Sequence, residues 1–152
     1  MLCEGLWALL TETSAVVAII GTPETRADGT SGVFPVTMPE RTPMPALVIT
    51  QIAGGGDNPF DGASGLRTAR IQFTAYGANY LQTKRLAKAV RDRLDGIKIT
   101  LADEDTTEVD LGEVVVEADA WQLAPFEYQT PIDIQFWFRE PITEPITGGT
   151  SL

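Results

Sequence analysis

The chain has 152 residues, 43% of them apolar and 21% charged, with a formal net charge of -10. That composition excludes an intrinsically disordered chain, and the length suits one domain that removes roughly 70% of its unfolded surface from water. Histidine is absent, which removes the commonest general base, the usual metal ligand and every Ser-His or Cys-His nucleophile pair. No enzyme is therefore expected, and no cofactor or metal.

The first twenty residues, "MLCEGLWALLTETSAVVAII", are apolar but contain no Lys or Arg, carry Glu4 and break at "TETS". A signal peptide needs a basic start and a membrane span about 20 unbroken apolar residues. Neither pattern is present, so no membrane contact is expected, and the lone Cys3 points to a cytoplasmic origin. Leu2, Leu6, Leu9, Leu10, Val17 and Ile20 recur at helical spacing, with "TETS" able to split the segment into two short helices. Between Thr22 and Pro45 the chain is rich in Pro, Gly and Thr. There "VFPVTMP" reads as a short edge strand, because its prolines forbid a central one.

"ALVITQIA", 46 to 53, is a β-branched run that reads as a strand. The segment "GGGDNPFDGASG", 54 to 65, follows as a long glycine-rich connection to "LRTARIQFTAYG". In that next strand Ala69, Ile71, Phe73 and Ala75 alternate with Arg70, Gln72, Thr74 and Tyr76. "ANYLQTKRLAKAVRDRLDG" predicts the clearest helix, capped by Asn79 with Gln82 and stopped at Gly96. Thr83, Leu86, Ala87, Val90 and Leu94 form its core face, and Lys84, Lys88 and Arg91 a basic edge, relieved by Lys88 with Asp92 and Arg91 with Asp95.

A short strand "IKITL" and an acidic turn "ADEDTT" lead to "EVDLGEVVVEADAW", with a bulge expected at Gly112 and with Glu113, Glu117 and Asp119 sharing one strand face. "TPIDIQFWFRE" alternates Ile132, Ile134, Phe136 and Phe138 against Asp133, Gln135, Trp137 and Arg139, and pairs antiparallel with the preceding strand. Residues 140 to 147 repeat EPIT, and 141 to 152 read as an extended or disordered tail after a single domain over 1 to 140. The fold expected is α+β: a mostly antiparallel β-sheet with two main helices packed on one face and a long Gly-rich inter-strand loop.

The 54 to 65 segment lacks the Gly-Lys-Ser/Thr of a phosphate loop, enters a strand where a dinucleotide fingerprint enters a helix, and misplaces its oxygens for a calcium loop. Asp57, Phe60 and Asp61 are instead candidates for contacts made in an assembly. Asp103, Glu104, Asp105 and Glu108 read as a solvated acidic loop. Trp137 stands on a polar strand face, covered by the chain's own loops or anchoring a partner. Charge is unevenly placed: residues 66 to 98 hold eight basic and two acidic side chains, and 99 to 152 hold one and twelve. Opposite patches on identical subunits suit a head-to-tail contact, with Lys84, Lys88 and Arg91 as interface candidates.

The order of these elements resembles the tail completion or tail terminator proteins of long-tailed bacteriophages. It is carried by "LWALLTETSAVVAIIG", "PERTPMPALVIT", "ARIQFTAYGANYLQTKRLAKAVRDRLDG" and the closing "TPIDIQFWFRE", across about residues 2 to 140. The resemblance implies a structural virion protein at the head-proximal end of the tail, assembled in the host cytoplasm. It also implies a self-associated ring, commonly a hexamer, that caps the tail tube, ends polymerisation and offers a surface to head connector proteins. Phage DNA would pass through without specific binding, with Glu113, Glu117 and Asp119 as candidates for an acidic channel lining that repels phosphates. The alternatives are a head-tail adaptor or tail tube subunit of the same machine, or a small ligand-binding or carboxylate-based enzyme domain.

Overall fold

The structure, a computed structural model, describes residues 2–55, 66–101 and 106–139. The expectations placed on Asp57, Phe60 and Asp61, on residues 103–105 and on the EPIT tail lie outside these residues. The described elements run α1 (Leu2–Glu12), α2 (Ser14–Ile20), β1 (Val33–Pro35), β2 (Ala46–Gly55), β3 (Leu66–Gly77), α3 (Tyr80–Leu94), β4 (Ile99–Thr100), β5 (Glu108–Glu117), β6 (Trp121–Ala124) and β7 (Glu127–Arg139). The strands form one mixed sheet in the order β1-β2-β3-β7-β5-β4, with β6 also on β7. Only β1 and β2 run parallel. The α+β architecture expected from the sequence is therefore present.

Alternation decides which sheet face is dry. Ala69, Ile71, Phe73 and Ala75 of β3 lie beside Phe136, Ile134, Ile132 and Thr130 of β7, and this face packs under the helices. Phe73 and Phe136 meet edge to face with centroids 6.2 Å apart, the arrangement that ring quadrupoles favour. From the helix side come Leu6, Leu10, Val16, Leu86, Val90 and Leu94, all buried. Each such side chain contributes roughly 1.5–3 kcal/mol through its removal from water.

The split at "TETS" falls at Thr13, whose ψ of 116 takes it out of the helix while its hydroxyl donates to the Leu9 carbonyl at 2.7 Å. The two helices bend by 75° there, which lets Leu2, Leu6 and Leu10 on one and Val16 and Ile20 on the other reach the same core. Among the described residues no single helix is long and apolar enough to cross a membrane. At the start of α3, Asn79 Oδ1 accepts from the Gln82 N–H at 2.8 Å, and Gln82 Oε1 reaches back to the Ala78 N–H at 2.7 Å. This is the predicted cap with its return bond one residue earlier.

Two strand expectations need correction. "IKITL" contributes only Ile99 and Thr100 as strand. Gly112 is not itself the bulge: register shifts fall between Val109 and Leu111 and between Val114 and Val116. Gly112 serves a close approach instead, since a Cβ there would stand 2.7 Å from the Leu94 carbonyl oxygen and 2.9 Å from Ile97 Cγ2. Its own carbonyl accepts from the Gly96 N–H at 2.7 Å, which docks the end of α3 on β5.

The segment read as one strand, 108 to 121, is broken. β5 leaves β7 at Glu117, and β6 resumes on the same side of β7 from Trp121, after Ala118, Asp119 and Ala120. β6 and β7 close through Pro125 and Phe126 as a hairpin.

Candidate functional site

Among the described residues no group of three or more His, Cys, Asp or Glu side chains gathers to hold a cation. The candidate site is a set of surfaces, each positioned by the sheet.

The basic edge of α3 is paired within the chain. Lys84 Nζ lies 3.2 Å from Asp119, Lys88 Nζ 2.6 Å from Asp92, and Arg91 Nη1 3.1 Å from Glu117. Arg91 thus takes Glu117 and Asp92 as partners where the sequence pointed to Asp95, whose carboxylate instead accepts from the Val114 N–H. The Glu117 carboxylate beside Arg91 raises the guanidinium above its ordinary value. Asp119 accepts from the Tyr80 hydroxyl at 2.9 Å, from the Ala120 N–H and from Lys84, which hold its carboxyl below the usual range. Asp119 therefore pins the break between β5 and β6 to the first turn of α3. Among the described residues Arg85 and Arg93 show no ion pair, so the edge keeps unpaired positive charge.

The expectation that Glu113, Glu117 and Asp119 share one face is corrected by the second register shift. Glu113 stands opposite Gln135 on the helix-free face, whereas the extra residue at the bulge leaves Glu117 opposite Ile132, on the helix side where Arg91 meets it. One inserted residue reverses the side on which every later one falls. Glu113 is exposed and forms no ion pair among the described residues.

On the helix-free face Trp137 lies between Thr68 of β3 and Leu111 of β5 and is half-buried. It shares that face with Asp133, as the alternation predicted. Asp133 is only 8% exposed, and its carboxylate accepts from Arg70 Nη2 at 3.0 Å and Gln72 Nε2 at 3.1 Å. These three polar side chains form a hydrogen-bonded patch beside the tryptophan.

Further surfaces went unread in the sequence. Arg26, its side chain 4% exposed, donates to the carbonyls of Ile20, Pro43 and Pro45 and to Asp28, and so fixes the loop that carries β1. Its guanidinium, with the Thr30 N–H and hydroxyl, holds the Asp28 carboxyl down to about 2. Trp7 donates its indole N–H to the Val33 carbonyl at 2.8 Å. Beside that bond, between α1 and β1, runs an apolar groove of about 760 Å³. At the far edge of the sheet Phe126, 79% exposed with φ of 62, tips the β6–β7 hairpin. The only sequence signal for that tip is "APFE", a proline followed by an aromatic in a turn-length gap.

Comparison with known proteins gives these surfaces a context. No curated protein matches the chain. Among solved structures, a chain from "Virion of native gene transfer agent (GTA) particle" shares the fold with a TM-score of 0.58 at 13% identity, covering 88% of this chain and 91% of that one. The family model "Tail completion protein gp17" matches residues 4–125. The chain accordingly belongs to the tail completion protein gp17 family and is a structural protein of the phage tail.

Proposed function

We propose that the protein closes into a ring of six subunits that caps the phage tail tube, ends its polymerisation and presents a joining surface to the head connector. The observation that carries this reading is the pair of unlike open edges of one sheet. Among the described residues β1, at one end of the strand order, pairs only with β2, while β6, off that order on the other side of β7, pairs only with β7. Unlike surfaces on one subunit associate head to tail, and such contacts close into a ring when the rotation allows. Membership of a tail completion family supports a place in the tail for such a ring.

Lys84, Lys88 and Arg91, with the unpaired Arg85 and Arg93 around them, are proposed to face acidic surface of a neighbouring copy. Trp137 and the 54–65 segment are further contacts in this reading. Glu113 is proposed to line the channel, where a free carboxylate repels the phosphates of passing DNA, while the net charge of -10 limits adhesion at longer range. The ring acts by binding and shape, without catalysis.

Native mass measurement and negative-stain imaging across concentration, with and without purified tail tubes, test the reading. Closed oligomers and capped tube ends are expected. Open filaments would identify a tube subunit, and a persistent monomer that ignores tubes would reject the ring. Reversing Lys84 and Lys88 to Glu is expected to lower oligomer mass with the monomer still folded, and unchanged mass would reject the charged contact alone.

A further inference from the structure

We propose that Phe126 of one copy seats in the α1–β1 groove of the next, making ring closure the insertion of a hairpin tip into an apolar slot. The proposal rests on the ring reading and names the contact that closes it.

The groove is lined mainly by Cys3, Trp7, Ala8, Val33, Phe34 and Pro35, with the one carboxylate of Glu4 on its wall. Polar atoms along it are already used inside the chain. The Trp7 indole N–H is donated to Val33, the Thr30 hydroxyl to Asp28, and Ser31 Oγ accepts from the Val33 N–H. Apart from Glu4, what remains is apolar surface, and a single carboxylate does not make the convergent set of polar groups that orients a small polar ligand. An apolar side chain brought by protein fits that chemistry.

Phe126 is the most exposed large apolar residue described, and its backbone is strained. In the Ala124–Glu127 turn, Pro125 and Phe126 fill the two central positions, and the φ of 62 at the second is one that glycine or asparagine adopts far more readily. A bulky residue kept in such a conformation, with its ring in water, marks a position where another function outweighs local preference. Trp121 and Leu123, also exposed, flank it on β6 and widen the apolar tip. An aromatic anchor entering an apolar pocket is the arrangement that concentrates binding energy at protein interfaces.

Phe126 cannot fill its own groove. From β1 through β2, β3 and β7 to β6 are four strand steps, roughly 19 Å at about 4.8 Å per step. Knob and slot thus lie on separate edges of one sheet. Their pairing between copies is heterologous, the kind of contact that propagates around a ring.

Cys3, the chain's single cysteine, lines the slot and supplies the reporter. In Phe126→Cys, treatment of assembled protein with a short bis-maleimide is expected to give a covalent ladder up to the ring's subunit number. The same treatment of Phe126→Cys combined with Cys3→Ser should give nothing beyond dimers. Rings that form but yield no ladder would overturn the knob-and-slot contact and leave the ring reading standing. A natural chain that never forms a closed oligomer would overturn both. If Phe126→Cys itself fails to assemble, a mixing experiment decides. Phe126→Ser keeps the slot and Ala8→Arg keeps the knob, so each alone should be monomeric with an unchanged unfolding midpoint, and the mixture should form heterodimers. A mixture that stays monomeric while the natural chain forms rings would overturn the proposal, and the groove would then take a small apolar molecule or another virion protein.

Discussion

Arg91 on α3 and Glu117 on β5 meet through one guanidinium nitrogen, 3.2 and 3.1 Å from the two carboxylate oxygens. The contact ties the helix to the strand just before that strand breaks. Both side chains are about one-third exposed, so water and salt screen the pair. Arg91→Ala is expected to lower the unfolding free energy by about 0.5–1 kcal/mol in urea titrations at low salt, and by less at high salt. A loss that does not shrink as salt is added would assign the effect to packing of the arginine stem rather than to charge.

Gly112 predicts a larger effect from a smaller change. A methyl group at this position would stand 2.7 Å from the backbone oxygen of Leu94 and 3.0 Å from Phe136 Cε1. A helix carbonyl cannot swing aside as a side chain can, so α3 must shift on the sheet. Gly112→Ala is expected to destabilise by about 1–3 kcal/mol, the range for overpacking a filled core. Chemical denaturation measures it, and a change below about 0.5 kcal/mol would show that the end of α3 is loosely seated.

How much of this is legible in the sequence depends on whether a local pattern survives contact with the rest of the chain. Residues 69–76 and 132–139 alternate cleanly because one sheet face is dry along their whole length, and their faces can be assigned from residue order alone. Asn79 and Gly96 bound α3 through local chemistry, a cap and a positive φ of 76, and are equally readable. Glu117 and Asp119 are not. The residue inserted near Val115 changes the parity of the strand without changing its composition, so Glu113 and Glu117 look like same-face neighbours and point to opposite sides. The groove depends on Trp7 meeting Val33, 26 positions away, and Phe126 on a backbone angle that its residue type argues against. Neither leaves a periodic trace.

Acid should act on the loop that carries β1. Asp28 has its carboxyl held down to about 2, first by the hydrogen bond from Arg26, against an ordinary 3.8. A carboxylate with a folded value below its unfolded one contributes stability that is complete above about pH 4 and is lost as pH falls toward 2. The contribution is on the order of 1–2 kcal/mol. Asp28→Asn should lower stability by that amount at pH 7, by much less at pH 2, and should match the natural chain only below it, as read from urea midpoints across this range. A constant gap across this range would show that the Asp28 charge is not what holds Arg26.

The last prediction sets stability against assembly at one residue. At φ of 62, Phe126 occupies a left-handed conformation that costs an ordinary L-residue about 1–2 kcal/mol and glycine nothing. Phe126→Gly relieves that strain but loosens the unfolded chain by about 0.4–1 kcal/mol, leaving a net gain on the order of 0.5–1 kcal/mol for the isolated subunit. With its ring 79% exposed, little packing is lost in exchange. The variant should therefore unfold at higher urea and yet form rings poorly, because the feature that weakens the monomer is the one that enters a neighbour. Urea midpoints of dilute monomer and native mass at assembly concentration measure the two sides. A variant both more stable and fully able to assemble would leave the strain at Phe126 without a use in the ring. One less stable than the natural chain would show that the exposed ring supports its own hairpin, and that its conformation serves the fold before it serves any partner.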